Sequence, residues 1–172
     1  WISNSKMSYE DSSQSYKNKF DEITKKQINH LINEIGRSIW VDDKMIGCSA
    51  IILAGISYND KNFLSYGFNL LRKIIKISFD NEGFPKSRNI RQLAFYLKYF
   101  VLIREWLKES QNEIPEYLNE IIFYLGQSYV LIHKNIESNF LFNGNHISKN
   151  TNFNNYLKRL GYNFKNGSFE TG

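Results

Sequence analysis

The sequence is poor in the residues that cross-link or interrupt a chain. Its 172 residues include one cysteine, Cys48, and two prolines. A single cysteine excludes an intrachain disulfide and a zinc cluster built from thiolates. Because Cys48 lies in an apolar run, the sequence predicts a buried small side chain there rather than a nucleophile. The few prolines and the ten glycines leave long uninterrupted segments. Such segments favour helices over a β-sheet protein, which would need many turns.

Long apolar runs are also lacking. No segment is apolar over enough residues to cross a bilayer, so we predict no membrane span. The net charge is +5, with 22 basic and 17 acidic residues. The basic residues are interleaved with acids instead of forming a stripe, so nucleic acid is not a predicted partner. This mild basicity nevertheless suits an anionic partner.

Apolar residues recur at helical spacing in five long segments. The pattern predicts five consecutive helices, at about 13–35, 41–58, 61–79, 89–109 and 115–134. The second is apolar on most sides and carries several small residues, which is typical of a closely packed inner helix. Asp42 and Asp43 are interpreted as caps of this helix rather than as an acid–base pair.

The composition changes after about residue 135, where Asn, Gly and aromatic residues dominate. Residues 140–142 read as a short extended piece and 152–160 as a short helix. The chain begins at Trp1 and stops at Gly172 without a helix end. We therefore expect a fragment of a longer protein. Consecutive antiparallel helices suit a helical toroid or a solenoid, and the lack of a strict repeat argues against a repeat array.

A basic turn, Gly83–Asn89, joins the third and fourth predicted helices. It gathers Lys86, Arg88 and Asn89 at one helix start. A guanidinium presents a planar fork of donors that fits a carboxylate or sulfate, and helix N-termini attract anions through free N–H groups. These residues alone are also compatible with an ordinary capped loop that carries surface charge.

Four elements, in their order and spacing, resemble the heparinase II/III-like family of polysaccharide lyases and their relatives. They are the inner helix Gly47–Gly55, the Ser87-Arg88-Asn89 turn, the helix Leu93–Glu105 with its Leu102-Ile103-Arg104, and the piece Leu141–Gly144. The resemblance covers roughly Gln27 to Gly144.

The resemblance implies an all-α fold: an incomplete α/α toroid of antiparallel helical hairpins that leads into a β-sandwich absent from this sequence. Residues 1–12 would be a connecting segment, residues 13–136 would form the toroid helices, and residues 137–172 would form the linker and the start of the sandwich. It also implies an acidic polysaccharide as partner and a bacterial protein of the periplasm or cell envelope. The sequence leads us to assign no cofactor and no metal. The oligomeric state stays open.

The family's reaction is β-elimination on a uronic-acid-containing polysaccharide. Neutralising the uronate carboxylate acidifies the neighbouring C5 proton, which a base then removes. By resemblance, Asn89 is the predicted neutralising group. Tyr96 could act as a substitute base, although an aromatic residue on a helix is more often part of the core. His146 completes the predicted catalytic set, although a histidine in a polar turn is more often simply solvated. The predicted substrate-binding residues are Trp40, Lys86, Arg88, Asn89, Arg91, Asn143 and Asn145.

Two further interpretations belong to other classes of protein. Arg91 and Gln92 stand where family lyases carry a Tyr-His pair, which suggests a non-catalytic acidic-glycan-binding or capsule-assembly protein with the same fold. The second of these interpretations is a helical scaffold that binds a protein partner. The three histidines lie too far apart in the sequence to suggest metal ligands.

Overall fold

A computed structural model describes residues 9–133, 140–142, 145–147, 151–165 and 168–170. These residues are mostly helical, which confirms the all-α part of the predicted fold class. The helices are α1 (Gln14–Ile35), α2 (Val41–Ser57), α3 (Lys61–Ser78), α4 (Arg91–Glu109), α5 (Glu116–His133) and α6 (Thr151–Arg159). Four short strands are β1 (Phe140–Phe142), β2 (Asn145–Ile147), β3 (Asn163–Lys165) and β4 (Ser168–Glu170).

The strands form two antiparallel pairs that lie on either side of α6 in the sequence. β1 pairs with β2, with Phe140 opposite Ile147, and β3 pairs with β4, with Asn163 opposite Glu170. The predicted extended piece at 140–142 is β1. β1 was predicted from its three consecutive apolar residues, whereas β2, β3 and β4 contain polar residues and are too short to show a period.

Capping side chains explain where α1 and α3 begin. Ser13 caps α1 by accepting a hydrogen bond from the backbone N–H of Tyr16 at 3.3 Å. The Asp60 carboxylate caps α3 by accepting from the N–H groups of Asn62 and Phe63 at 2.9 and 3.1 Å. These hydrogen bonds satisfy donors that the first helical turn leaves unpaired.

The predicted capping of α2 is wrong in detail. Trp40 occupies the N-cap position and makes no side-chain cap hydrogen bond, whereas Asp42 and Asp43 lie inside the first turn. Their negative charges still face the positive end of the helix dipole, which favours acidic residues in the first turn. The two aspartates therefore act on α2 electrostatically rather than as caps.

The chain divides into two compact units, residues 1–74 and 75–172. In the first unit, α2 is the inner helix predicted from its small residues: eight of its residues are buried. Small residues allow α3 to approach it closely, since a Cβ at Gly67 would lie 2.5 Å from the Ile52 side chain. A core of Ile28, Ile35, Ile51, Ala54 and Phe63 joins the three helices of this unit.

Cys48 of α2 is expected to be unreactive at pH 8 toward a thiol reagent such as the aromatic disulfide dithiobis(nitrobenzoate). The side chain is fully buried, and Sγ lies 3.3 Å from the carbonyl oxygen of Gly67. Burial raises the pKa of the thiol to about 12, so the thiolate that attacks such reagents is scarce. One equivalent should react after unfolding in urea. Stoichiometric reaction of the folded protein within seconds would contradict the buried position.

The second unit packs its C-terminal segment against α4 and α5. Gln127 of α5 binds the backbone of Phe169 twice, donating from Nε2 to the carbonyl oxygen at 2.8 Å and accepting the N–H at 3.1 Å. Tyr129 donates to Asn154 Oδ1 at 2.7 Å. The sequence assigns 137–172 to a linker and a following domain. The structure places the described part of that segment in the same compact unit as α4 and α5.

Candidate functional site

The loop between α3 and α4 is organised by one carboxylate. Asp80 Oδ1 accepts hydrogen bonds from the N–H groups of Glu82 and Phe84 at 3.1 and 2.9 Å. The Asp80 N–H donates to the carbonyl oxygen of Phe84, and Phe79 forms a β-bridge with Pro85. Such a loop is folded by its own hydrogen bonds and does not depend on a ligand for its shape.

Gly83 presses this loop against α5. Its φ is +72°, in the left-handed region that glycine adopts at little cost. A Cβ added there would overlap the Cβ of Tyr124 and lie 3.0 Å from the backbone nitrogen of Leu125. Glycine is therefore needed at this position for two reasons: the left-handed backbone conformation and the close approach of the loop to α5. As a result, the loop lies directly beside Tyr124.

Arg88 is held in a defined, outward position. Its φ is 57°, a left-handed conformation that is uncommon for a residue with a side chain and is found preferentially at functional sites. Its Nη1 lies 3.3 Å from Asp80 Oδ2, and its guanidinium carbon lies 5.3 Å from the centre of the Phe84 ring. The side chain is still 60% exposed. The guanidinium is thus oriented by two neighbours and remains accessible to an anion.

Asn89 acts in the turn that starts α4. Its Oδ1 accepts a hydrogen bond from the N–H of Arg91 at 3.1 Å. Since this contact uses the oxygen of the amide, the Nδ2 group on the other side is the donor available to a carboxylate. α4 begins at Arg91, two residues later than predicted. The helix dipole at this start adds a positive potential.

Lys86 and Ser87 serve mainly to shape the loop. Lys86 Nζ donates to the carbonyl oxygen of Lys76 at 2.8 Å, in the last turn of α3, where a cation offsets the helix dipole. Ser87 Oγ contacts Gln92 Oε1 at 2.5 Å and accepts from the N–H of Asn89 at 3.2 Å. Lys86 is exposed and keeps further N–H groups for a ligand, whereas Gln92 is engaged within the loop.

Tyr96 lies in the core. It is 1% exposed, and its ring packs edge to face on Phe79 at 4.9 Å and lies 5.9 Å from Phe100. Because the ring is buried against Phe79 and Phe100, it is not displayed on the surface as Arg88 is. The alternative interpretation of Tyr96, as a core aromatic, describes its position.

The remaining predicted residues belong to other segments of the chain. Trp40 is exposed and belongs to the first unit. Asn145 and His146 belong to β2, where His146 is opposite Leu141 in the register, and only their backbone is described. Asn143 lies outside the described residues. Lys86, Arg88, Asn89 and Arg91 are thus the predicted residues that one loop and helix start bring together.

Sequence reasoning missed one aromatic residue beside this loop. Tyr124 of α5 is 47% exposed, and its ring meets that of the exposed Phe123 edge to face with centroids 5.5 Å apart. The position of Tyr124 off the buried stripe of α5 was a usable signal. The contact of Tyr124 with Gly83 joins residues far apart in sequence and could not be predicted from the pattern.

The described residues give no support for a metal site or a membrane span. No group of three or more His, Cys, Asp or Glu side chains there is arranged to hold a metal ion. In that part of the chain, every helix falls short of the length and apolarity that crossing a membrane demands. Comparison of the chain with protein-family models, with curated proteins and with solved structures gives no match.

Proposed function

We propose that this chain is part of a heparinase II/III-like protein and that it binds an acidic polysaccharide at the surface formed by Arg88, Asn89 and Tyr124. We call this surface the loop site. The observation that carries the proposal is an oriented, exposed guanidinium and an amide donor on one loop, whose Gly83 packs against the backbone and Cβ of the exposed Tyr124. Helices α1 to α5 would be the later helices of the α/α toroid of such a protein.

Each group of the loop site suits one part of a uronate residue. Arg88 can pair with the carboxylate or with a sulfate through two parallel hydrogen bonds. The Asn89 Nδ2 group can donate to the same anion. Tyr124 offers a flat apolar face with a polar hydroxyl, a combination suited to the C–H face of a sugar ring. Asp80 keeps the guanidinium partly neutralised until an anionic ligand competes for it.

For the whole protein, we propose β-elimination as the reaction. Arg88 and Asn89 would neutralise the uronate carboxylate, so that negative charge developing at C5 is stabilised by donors already in place. Tyr96 is buried in the core, so the base that removes the C5 proton would come from another residue, for which His146 stays the prediction.

A second candidate, glycan binding without cleavage, is favoured by one specific observation. Where the related lyases carry a Tyr-His pair, this chain has Arg91 and Gln92, and Gln92 is engaged with Ser87. Neither side chain is a general base at neutral pH. A protein that kept the loop site and lost the base would bind the polysaccharide and leave it intact.

Arg88→Ala is expected to weaken binding of a uronate polysaccharide about tenfold, because one charge-assisted hydrogen-bonding pair is lost. Isothermal titration of the full chain against uronic-acid polymers measures this effect. Arg37→Ala is the matched control, since Arg37 is an exposed arginine of the first unit paired with Glu34. It should bind like the unsubstituted chain.

Incubating the full-length protein with the same polymers separates the two candidates. Ultraviolet absorbance from the unsaturated product indicates the lyase, and binding without absorbance indicates the non-catalytic protein. Failure of every uronate or sulfated polymer to bind, or equal affinities of the two arginine variants, would refute the loop site.

A further inference from the structure

The second unit contains a groove between α4 and α6 that is lined by residues of these two helices. Its volume is about 460 Å³, within the range of small-ligand sites. The walls are largely aromatic, from Phe95, Phe153 and Tyr156, and the polar groups are Lys98 and Asn152.

The aromatic walls are held in place by their neighbours. The rings of Phe153 and Tyr156 are nearly parallel, with centroids 6.4 Å apart and an interplanar angle of 21°. Phe153 also packs edge to face on Tyr129 at 5.6 Å. On the α4 side, the Phe95 ring lies 5.0 Å from Tyr99. The groove therefore presents flat, fixed ring faces, which suit stacking on a sugar or another ring.

Lys98 gives the groove a positive charge. It is exposed, its Nζ lies 6.0 Å from the centre of the Tyr99 ring, and it forms no ion pair with any described residue. Together with the Asn152 amide, it leaves the groove with cationic and hydrogen-bonding groups beside apolar walls. A neutral apolar peptide would desolvate these groups without pairing them.

The groove continues the loop site along α4. Arg91, Phe95 and Lys98 are spaced i, i+4 and i+7, so they share one face of this helix. Arg91 and Lys98 are separated by about 10 Å along the helix axis. The loop site lies where α4 begins, so an extended ligand running along this face would meet one cation at the helix start and a second in the groove.

We propose that the α4–α6 groove is a second sugar-binding subsite for the same acidic polysaccharide. Lys98 pairs with a carboxylate or sulfate, and the rings of Phe95 and Tyr156 pack on the apolar face of a sugar. This subsite rests on the proposed function of the loop site and adds a requirement for ligand length, since a short oligosaccharide occupies the loop site alone.

Oligosaccharides of two lengths test the subsite with the full chain. Lys98→Gln should weaken binding of a uronate decasaccharide about fivefold and leave a uronate disaccharide unchanged, because the lost contact is an exposed ion pair reached only by the longer ligand. Asn152→Ala should act in the same direction. Lys108→Gln, an exposed lysine in the last turn of α4 outside the groove lining, is the matched control and should change neither affinity.

The outcomes separate the two proposals. If Arg88→Ala weakens both ligands while Lys98→Gln and Lys108→Gln behave alike, the subsite is wrong and the loop site stands. Equal affinity of the unsubstituted chain for both lengths would also overturn the subsite. If neither the decasaccharide nor the disaccharide binds, both the loop site and the subsite are wrong. Unchanged thermal melting of the Lys98 variant confirms that the measured loss comes from the ligand contact.

Discussion

Arg104→Met is expected to lower the free energy of unfolding of the second unit by about 3–5 kcal/mol, since it removes one partner of a buried charge pair. Arg104 Nη1 lies 2.9 Å from Glu105 Oε1, and the two side chains are only 13% and 12% exposed. Methionine fills much of the same volume and carries no charge. The Glu105 carboxylate would remain almost buried without its cation, which is the costly half of such a substitution.

The cluster around Arg104 extends beyond this pair. Arg104 Nη1 also donates to the hydroxyl oxygen of Tyr162 at 3.0 Å, and Tyr162 donates to Glu105 Oε1 at 3.0 Å. Arg104 Nε donates to Asn119 Oδ1 of α5 at 3.0 Å. Burial is the main cause that raises the pKa of Tyr162 above its ordinary value of 10.0, so its hydroxyl stays a donor at neutral pH. One guanidinium thus connects α4, α5 and the C-terminal segment.

Urea unfolding monitored by circular dichroism measures the expected loss. Hydrogen exchange of residues 151–165 should also accelerate, because Tyr162 loses one of its two polar partners. The double substitution of Arg104→Met and Glu105→Met should recover part of the lost stability, since no unpaired charge remains. Arg37→Met, which removes an exposed i,i+3 pair with Glu34, is the control and should change stability by less than about 0.5 kcal/mol. If Arg104→Met and Arg37→Met lowered the free energy of unfolding equally, the Arg104 cluster would contribute no more to stability than an exposed ion pair.

Gly126→Ala is expected to destabilise the second unit by about 1–3 kcal/mol, although glycine to alanine inside a helix ordinarily stabilises. A Cβ at Gly126 would overlap the ring of Phe169, which packs on α5 at this point. Phe169 is 1% exposed, and its backbone is held by Gln127, so the ring has little room to retreat. Steric conflict should therefore outweigh the gain in helix propensity.

Gly36→Ala supplies the matched control for Gly126→Ala. Gly36 has a φ of −63° and no heavy atom within 4 Å of the position of an added Cβ. Alanine there should be neutral or stabilise by about 0.4–1 kcal/mol, because it restricts the unfolded chain without strain. Urea unfolding should show that Gly126→Ala lowers the free energy of unfolding and that Gly36→Ala does not lower it.

A double-substitution cycle identifies the cause of the Gly126 effect. Phe169→Leu alone removes part of a buried ring and should destabilise. Combined with Gly126→Ala, it should destabilise by less than the sum of the two single changes, because the smaller side chain makes room for the new methyl group. Strict additivity would mean that the Phe169 ring is not what excludes a side chain at position 126.

The identity of several loop residues could be predicted, but their arrangement could not. Lys86, Arg88 and Asn89 were visible as a basic turn at a helix start, and the structure places them there. The left-handed φ of Arg88 and its pairing with Asp80 follow from the way the loop closes on itself. Tyr96 and Tyr124 show the limit more clearly. Both are aromatic residues on helices. Periodicity puts Tyr124 off the buried stripe of α5, but it gave no sign that Tyr124 would meet Gly83 of the loop or that Tyr96 would pack on Phe79.

The sequence by itself determined the helices, because helical periodicity and capping groups such as Ser13 and Asp60 are local properties of the chain. It also determined the inner character of α2, since small and apolar residues on most of its surface allow no other placement. Only the tertiary structure decided that Tyr96 is buried against Phe79 and that the segment after α5 packs back through Phe169 and Tyr162. It likewise decided which aromatic rings line the surfaces around Arg88 and Lys98. Those outcomes depend on contacts between residues far apart in the chain, and local residue preferences carry no information about which distant partners will meet.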